Sequence, residues 1–428
     1  MRQCFLPWPR IGLPLLVGAL FIWPGCGYGQ SSFEPHFTSW GMADGLSQGS
    51  AIALLQDQMG FIWIGTQDGL NRFDGIHFRS FRHSREDSTS LSDDYVLSLA
   101  RAEGGRLWVG TNRGGLNLFH PLTGEATRYP LRELGGWLHD AEGDQEDRSG
   151  RTVSGIVPLA DGSLILSTDA GLARFAEFMD RADPIDSEDS VVADARASPV
   201  CALDGGGGFA GFKDGSVRRI SASGALSYAF SVPDSVLTLR CPQTGPGYVA
   251  TRGGSIYEFA PGASSAELLS QIRLSTGPQP GIYDLIRGPE GYLWVGTSGG
   301  LFFGRPEHEL RRIGFGEGSR GLPGAEILSL LVDRESGIWI GTWNGLARVS
   351  PRSRSIVRIQ KRTGESPGVT QGVVSIEEIP DRGLLLGTNM GGVDVARGDW
   401  WLGAPALSRI PTLDQWPEAR VFDIARDP

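Results

Sequence analysis

At 428 residues the chain is long enough for one large closed fold or for several domains. Gly 62 and Pro 26 beside 40% apolar residues exclude a disordered chain and fit a folded one with many tight turns. A formal charge of −10, with lysine only at Lys213 and Lys361 and no basic stripe, excludes nucleic acid as a partner.

The first element is a targeting segment. Arg2 and Arg10 give a basic start, and Ile11 to Trp23 form an apolar stretch shorter than the roughly 20 residues of a membrane span. Small residues follow at Gly25, Gly27 and Gly29, so residues 1–29 read as a secretory signal with a mature N-terminus near Gln30. Lipidation at Cys26 is the rival reading, but Trp23 and Pro24 make a poor lipobox. No second apolar run of spanning length follows.

From residue 33 onward one phrase recurs: Ile62-Trp63-Ile64-Gly65-Thr66, Leu107-Trp108-Val109-Gly110-Thr111, Leu293-Trp294-Val295-Gly296-Thr297 and Ile338-Trp339-Ile340-Gly341-Thr342. Leu385-Leu386-Gly387-Thr388 lacks the tryptophan, and weaker copies sit at Leu166-Ser167-Thr168, Ala210-Gly211-Phe212 and Val249-Ala250-Thr251. From Thr66 to Thr388 the steps are 45, 57, 44, 39, 46, 45 and 46 residues. Such a period marks a repeat architecture. Each unit has the same grammar: an apolar strand (Val96-Leu97-Ser98-Leu99), an Asp/Gly turn (Asp57 to Gly60), the tryptophan strand, a third strand (Gly69 to Phe73) and a more polar fourth (His77 to Phe81). Four short strands joined by tight turns suit a propeller blade, in which Trp and Ile fill the space between blades and glycine permits close approach. The four tryptophans therefore read as blade core rather than as a stacking platform.

The 57-residue step holds an insertion, Arg132 to Arg151, where Asp140, Glu142, Asp144, Glu146 and Asp147 lie beside Trp137 and His139; a second acidic stretch runs from Asp180 to Asp194. Both read as solvated acidic loops, with a ligand rim or a calcium site as the alternative. Outside the targeting segment the cysteines are Cys201 and Cys241, 11 and 10 residues before their anchors, and so at nearly equivalent places on adjacent blades. Blades that splay apart would hold the Cα atoms beyond bridging distance, so two buried free thiols are expected rather than a disulfide. Arg420 to Pro428 reads as the first strand and opening turn of a ninth repeat, which makes the chain a fragment or a truncated product.

Several motifs imitate enzymes. Gly45-Leu46-Ser47-Gln48-Gly49 and Gly296-Thr297-Ser298-Gly299-Gly300 fit G-x-S-x-G, and Gly206 to Gly211 fits G-x-G-x-x-G, yet none precedes a helix as the chemistry requires. The histidines His36, His77, His83, His120, His139 and His308 show no metal-ligand spacing, and none falls at an inner-strand position. No catalytic, cofactor-binding or metal residue is assigned, no cofactor is expected, and the ligand-binding residues are left open.

The run Gly45-Leu46-Ser47 to Gly75, with Trp63-Ile64-Gly65-Thr66 and Gly69-Leu70-Asn71-Arg72-Phe73-Asp74-Gly75, resembles the two-component regulator propeller repeat, as does the link Ser88-Thr89-Ser90-Leu91-Ser92. The likeness is strong in repeats 1, 2, 6, 7 and 8 and degraded in repeats 3 to 5. It implies an all-β fold: a seven-bladed propeller of four-stranded blades over 33–365, then 366–428 as an eighth repeat and incomplete ninth opening a second propeller. It also implies a periplasmic or extracellular sensor module of a two-component or cyclic-di-nucleotide receptor, a non-enzyme, cut before a membrane helix and a histidine kinase or diguanylate cyclase. The partners expected are a small molecule or oligosaccharide, an effector domain or partner receptor, and a second copy of the chain. A streptogramin lyase-like propeller enzyme and a non-signalling propeller scaffold are the alternatives.

Overall fold

The computed structural model describes residues 35, 37–129, 131, 152–169, 171–176, 199–242, 245–273, 281–288, 291–313 and 322–349, and the strands Arg181–Pro184, Val373–Ile379, Gly383–Thr388, Gly392–Arg397 and Ala406–Arg409. The acidic insertion lies outside the described residues, as does the second acidic stretch apart from the strand Arg181–Pro184. Contacts divide the chain into a unit Pro35–Ile356 and a unit of Met1–Glu34 with Val357–Pro428.

Pro35–Ile356 holds seven antiparallel four-stranded sheets, and the first strand of each touches the first strand of the next until the seventh meets the first. This is a seven-bladed β-propeller. Residues 357–428 hold an eighth four-stranded sheet, from Val373–Ile379 to Ala406–Arg409, paired in the same order as a blade.

Each recurring residue has a mechanical cause. Asp57 ends the inner strand Ala53–Gln56: its Oδ1 accepts the backbone N–H groups of Met59 (2.9 Å) and Phe61 (3.0 Å), and its Oδ2 accepts the Trp63 indole N–H at 2.7 Å. Asp333 does the same for Glu335, Gly337 and Trp339, and Arg348 donates to it at 2.7 Å. The aspartate thus folds the turn and fixes the tryptophan of its own blade. At the far end of that strand, Thr342 Oγ1 donates to the Gly345 carbonyl (2.9 Å) and accepts the Asn344 N–H (3.1 Å), closing a turn whose Gly345 has φ +147. Trp63, Trp108, Trp294 and Trp339 are all buried, as core residues should be.

The glycine of the phrase faces the neighbouring blade. A Cβ on Gly65 would lie 2.7 Å from Val96 Cγ1, one on Gly296 the same distance from Ile327 Cγ2, and one on Gly110 would meet Ser98 Oγ and lie 2.6 Å from the Val153 carbonyl oxygen. Val96, Val153 and Ile327 each open the inner strand of the next blade. Directed hydrogen bonds reinforce this seam: Ser98 Oγ to Val153 O and Ser329 Oγ to Ala51 O, both 2.9 Å.

The ring closes through a strand from outside the repeats. Phe37–Trp40 pairs antiparallel with Gly345–Val349 as the outer strand of blade 7, Phe37 opposite Val349 and Trp40 opposite Leu346. Trp40 stacks on Trp339 (5.5 Å) and lies 5.1 Å from Phe73 of blade 1, so one indole joins the first and last blades.

The expectation of two free thiols is corrected: Cys201 and Cys241 form a disulfide, with Cα atoms 5.4 Å apart. Cys201 is in the inner strand Val200–Ala202 and Cys241 directly follows the inner strand Val236–Arg240. Blades splay outward, but these residues sit near the axis, where adjacent strands converge to bridging distance.

Gly110→Ala should destabilise the ring by about 2 kcal/mol, because the added methyl meets backbone that cannot move aside. Gly41→Ala, at a site with no atom within 4 Å, should change stability by less than about 0.5 kcal/mol. Thermal or urea unfolding of both variants checks this.

Candidate functional site

Five of the seven inner strands carry the same bulge near their start, skipping Leu97, Ser154, Leu237, Tyr283 and Leu328 in the pairing with the tryptophan strand or its equivalent. A bulge re-aims a side chain without breaking the sheet. The bulged positions lie at the end of the ring that also carries the turns after the Gly-Thr pairs, and polar bonds cross between blades there. Gln67 Nε2 donates to the Tyr95 hydroxyl (3.3 Å), Thr152 Oγ1 to the Asn112 carbonyl (2.5 Å) and the Tyr283 hydroxyl to Glu326 Oε1 (3.0 Å).

Among the described residues, the aromatic surface of this mouth gathers on blades 6 and 7. Trp343 follows Thr342 in the turn of blade 7 and is 44% exposed, the one exposed tryptophan among the described residues. Its backbone N–H donates to the Glu326 carbonyl at 3.1 Å, which continues the ladder past the Ile327–Thr342 pair and sets Glu326 opposite Trp343. Tyr283, 37% exposed, reaches the same glutamate from blade 6. Burial, and then the bond to the Glu326 carboxylate, raise the Tyr283 hydroxyl above the usual phenol value, so it remains a donor. Arg252 on the adjacent blade 5 and Lys213 on blade 4 hold the equivalent turn positions and are exposed.

Next to Tyr283 the inner strand turns Asp284 into the wall. Asp284 Oδ1 accepts the Leu285 N–H and Oδ2 the Leu330 N–H of blade 7, both at 2.8 Å. Arg240 of blade 5 lies 3.6 Å from Oδ1 and donates to the Leu330 carbonyl at 3.0 Å. Three blades are tied by one ion pair. Burial pushes the Asp284 carboxyl above the usual carboxylate range, while Arg240 and the two backbone N–H groups pull it down.

The sequence assigns no residue to a site, and the motifs it offers are built into links, turns and strands of the blades. Ser47 is taken up by Asn71, which donates to its hydroxyl at 2.7 Å, and Thr66, 3.1 Å away; Ser298 sits in a blade turn. Gly206–Gly211 forms a turn and the strand Gly208–Gly211. His83 holds the Leu91 carbonyl of a link, and His36 and His139 lie outside the described residues. Among the described residues no group of three His, Cys, Asp or Glu could hold a metal ion. Trp343 was not singled out because it stands one residue past the recurring phrase, where the repeat constrains nothing.

The two component regulator propeller family matches residues 90–113 and 321–344, two links with the strands that follow them. Two stretches of the chain, in blades 2 and 7, thus match this repeat. Histidine kinase P4 of Formosa agariphila is 54% identical over 56 residues, which is 13% of this chain and 4% of the kinase. Among solved structures, the extracellular domain of the hybrid two component system BT3049 from B. thetaiotaomicron is similar with TM-score 0.61 and 20% identity, over 87% of this chain and 49% of that one. The corresponding domain of BT4673 gives TM-score 0.57 and 17% identity, over 86% and 47%. A virginiamycin B lyase from Staphylococcus aureus gives TM-score 0.55 and 11% identity, over 74% and 99%. At such identities these likenesses carry the fold alone, and the chain spans about half the length of the two receptor domains. Among the described residues no helix is long and apolar enough to cross a membrane.

Arg240→Ala should cost about 2 kcal/mol at neutral pH, because it strands a buried carboxylate; Arg240 is 34% exposed, which holds the figure below that of a fully buried pair. A carboxyl whose folded-state affinity for protons is raised lowers stability once it ionises, so the deficit should shrink as pH falls toward the carboxylate range. Asp284→Asn should show no such pH dependence. Urea unfolding of both variants between pH 5 and pH 8 measures it.

Proposed function

We propose that this chain is the exported, ligand-binding sensor propeller of a two-component or cyclic-di-nucleotide signalling receptor, acting outside the cytoplasm and without catalysis of its own. The repeat family and the extracellular receptor domains of similar fold support the class. The site rests on one observation: Trp343 and Tyr283 are exposed together at the mouth of a ring whose other described tryptophans are buried or half-buried. An exposed aromatic pair beside polar groups is the composition of a recognition surface. The ligand is a small molecule or an oligosaccharide. It signals by favouring one packing or pairing of receptor propellers over another, since a ligand shifts an equilibrium only by its difference in affinity for the two states.

A thermal-shift screen of the chain against defined oligosaccharides and small metabolites tests this reading. The expected result is a stabilising compound whose effect falls at least about tenfold in apparent affinity in Trp343→Ala, with the unliganded melting temperature unchanged. A stabilising compound that binds Trp343→Ala as well as the parent chain would move the site off this mouth.

A further inference from the structure

The mouth on blades 6 and 7 has a chemistry more specific than an aromatic patch. The Trp343 backbone N–H donates to the Glu326 carbonyl at 3.1 Å, so the exposed turn residue Trp343 and Glu326 are backbone neighbours at the mouth. Tyr283, re-aimed by its bulge, brings a second ring to the same carboxylate and bonds Oε1 at 3.0 Å. Oε2 has no protein partner among the described residues, and no lysine or arginine among them pairs with Glu326. Arg252, exposed in the equivalent turn of the adjacent blade 5, makes no bond to Glu326 or Tyr283. Two exposed rings and a carboxylate half-used among the described residues therefore belong to one neighbourhood of the mouth, and no described lysine or arginine pairs with that carboxylate.

The faces of such rings carry negative potential, and the carboxylate bonded to Tyr283 adds to it. A neutral ligand can only donate hydrogen bonds to the carboxylate and an anion would be repelled, whereas a cation is drawn by the charge and by the ring faces together. We propose that Trp343, Tyr283 and Glu326 form a binding site for an organic cation, an ammonium group carried on a small apolar body. The assignment rests on the mouth being the ligand site and names the class that this part of it takes. Because the rings are about half exposed, the affinity expected for an isolated ammonium compound is modest, with Kd in the millimolar range.

The test uses two probes of one shape. Choline and its uncharged isostere 3,3-dimethylbutan-1-ol are titrated against the full chain, with binding read from tryptophan fluorescence and from saturation transfer to the probe methyl groups. Choline should bind at least about tenfold more tightly than the isostere. Glu326→Gln and Trp343→Ala should each weaken choline by about tenfold, while Trp343→Phe keeps part of the binding and all three variants keep the parent's unfolding temperature. Equal binding of the two probes, or no binding of choline to the parent chain, overturns the cation class. If choline fails while an oligosaccharide binds in a Trp343-dependent way, the cation class falls and the mouth stands as the ligand site.

Discussion

The whole ring depends on how closely the tryptophan strand of one blade approaches the inner strand of the next. At Gly65, Gly110 and Gly296 the space left for a side chain is smaller than a methyl group, and the atoms that fill it open the neighbouring inner strand. This contact sets the angle between blades and is made at five of the seven seams, at Gly65, Gly110, Gly211, Gly296 and Gly341. The inter-blade serine bonds follow from that proximity: Ser329 reaches Ala51 across 278 residues of chain only because the ring has closed. Burial of the tryptophans on either side supplies the main drive.

Where the repeat degenerates, other devices take over the seam. Blade 4 replaces the tryptophan with Phe209 and blade 5 with Tyr248, and blade 5 puts Ala250 at the glycine position. Between these two blades the disulfide of Cys201 and Cys241 joins the inner strands covalently. Tyr248, with no turn aspartate to bond, shares its hydroxyl with Glu258 (3.2 Å) and Arg287 (3.5 Å). In blade 6 the bulged strand presents Asp284 to blades 5 and 7 together. The same bulge that ties the wall also turns Tyr283 outward, so scaffold and mouth are built by adjacent residues.

This division explains what the sequence shows and what it hides. Blade number, strand order and the core role of the tryptophans are legible because blades repeat parts of one local requirement: an aspartate that holds the indole in blades 1 and 7, a glycine that admits the neighbour, a threonine that closes the turn. Closure by Phe37–Trp40 is not legible, since a four-residue strand pairs with a partner some 300 residues away and has no copy to compare with. The disulfide was misread for a related reason: spacing places two cysteines on adjacent blades but does not say that they lie near the axis. The mouth is hidden most completely. Tyr283, Glu326 and Trp343 all stand where the repeat leaves residues free to differ, and such variable positions can acquire function without disturbing the fold.

The closing strand offers the most direct measurement of this architecture. A chain starting at Gln30 and one starting at Gly41 are compared by calorimetry under oxidising conditions. The account predicts that losing Phe37–Trp40 uncovers the edge of Gly345–Val349, removes the indole packed on Trp339 and Phe73, and lowers the unfolding temperature by roughly 10 °C or more. Equal unfolding temperatures for the two chains would contradict it, for the seventh blade would then be complete without the N-terminal strand.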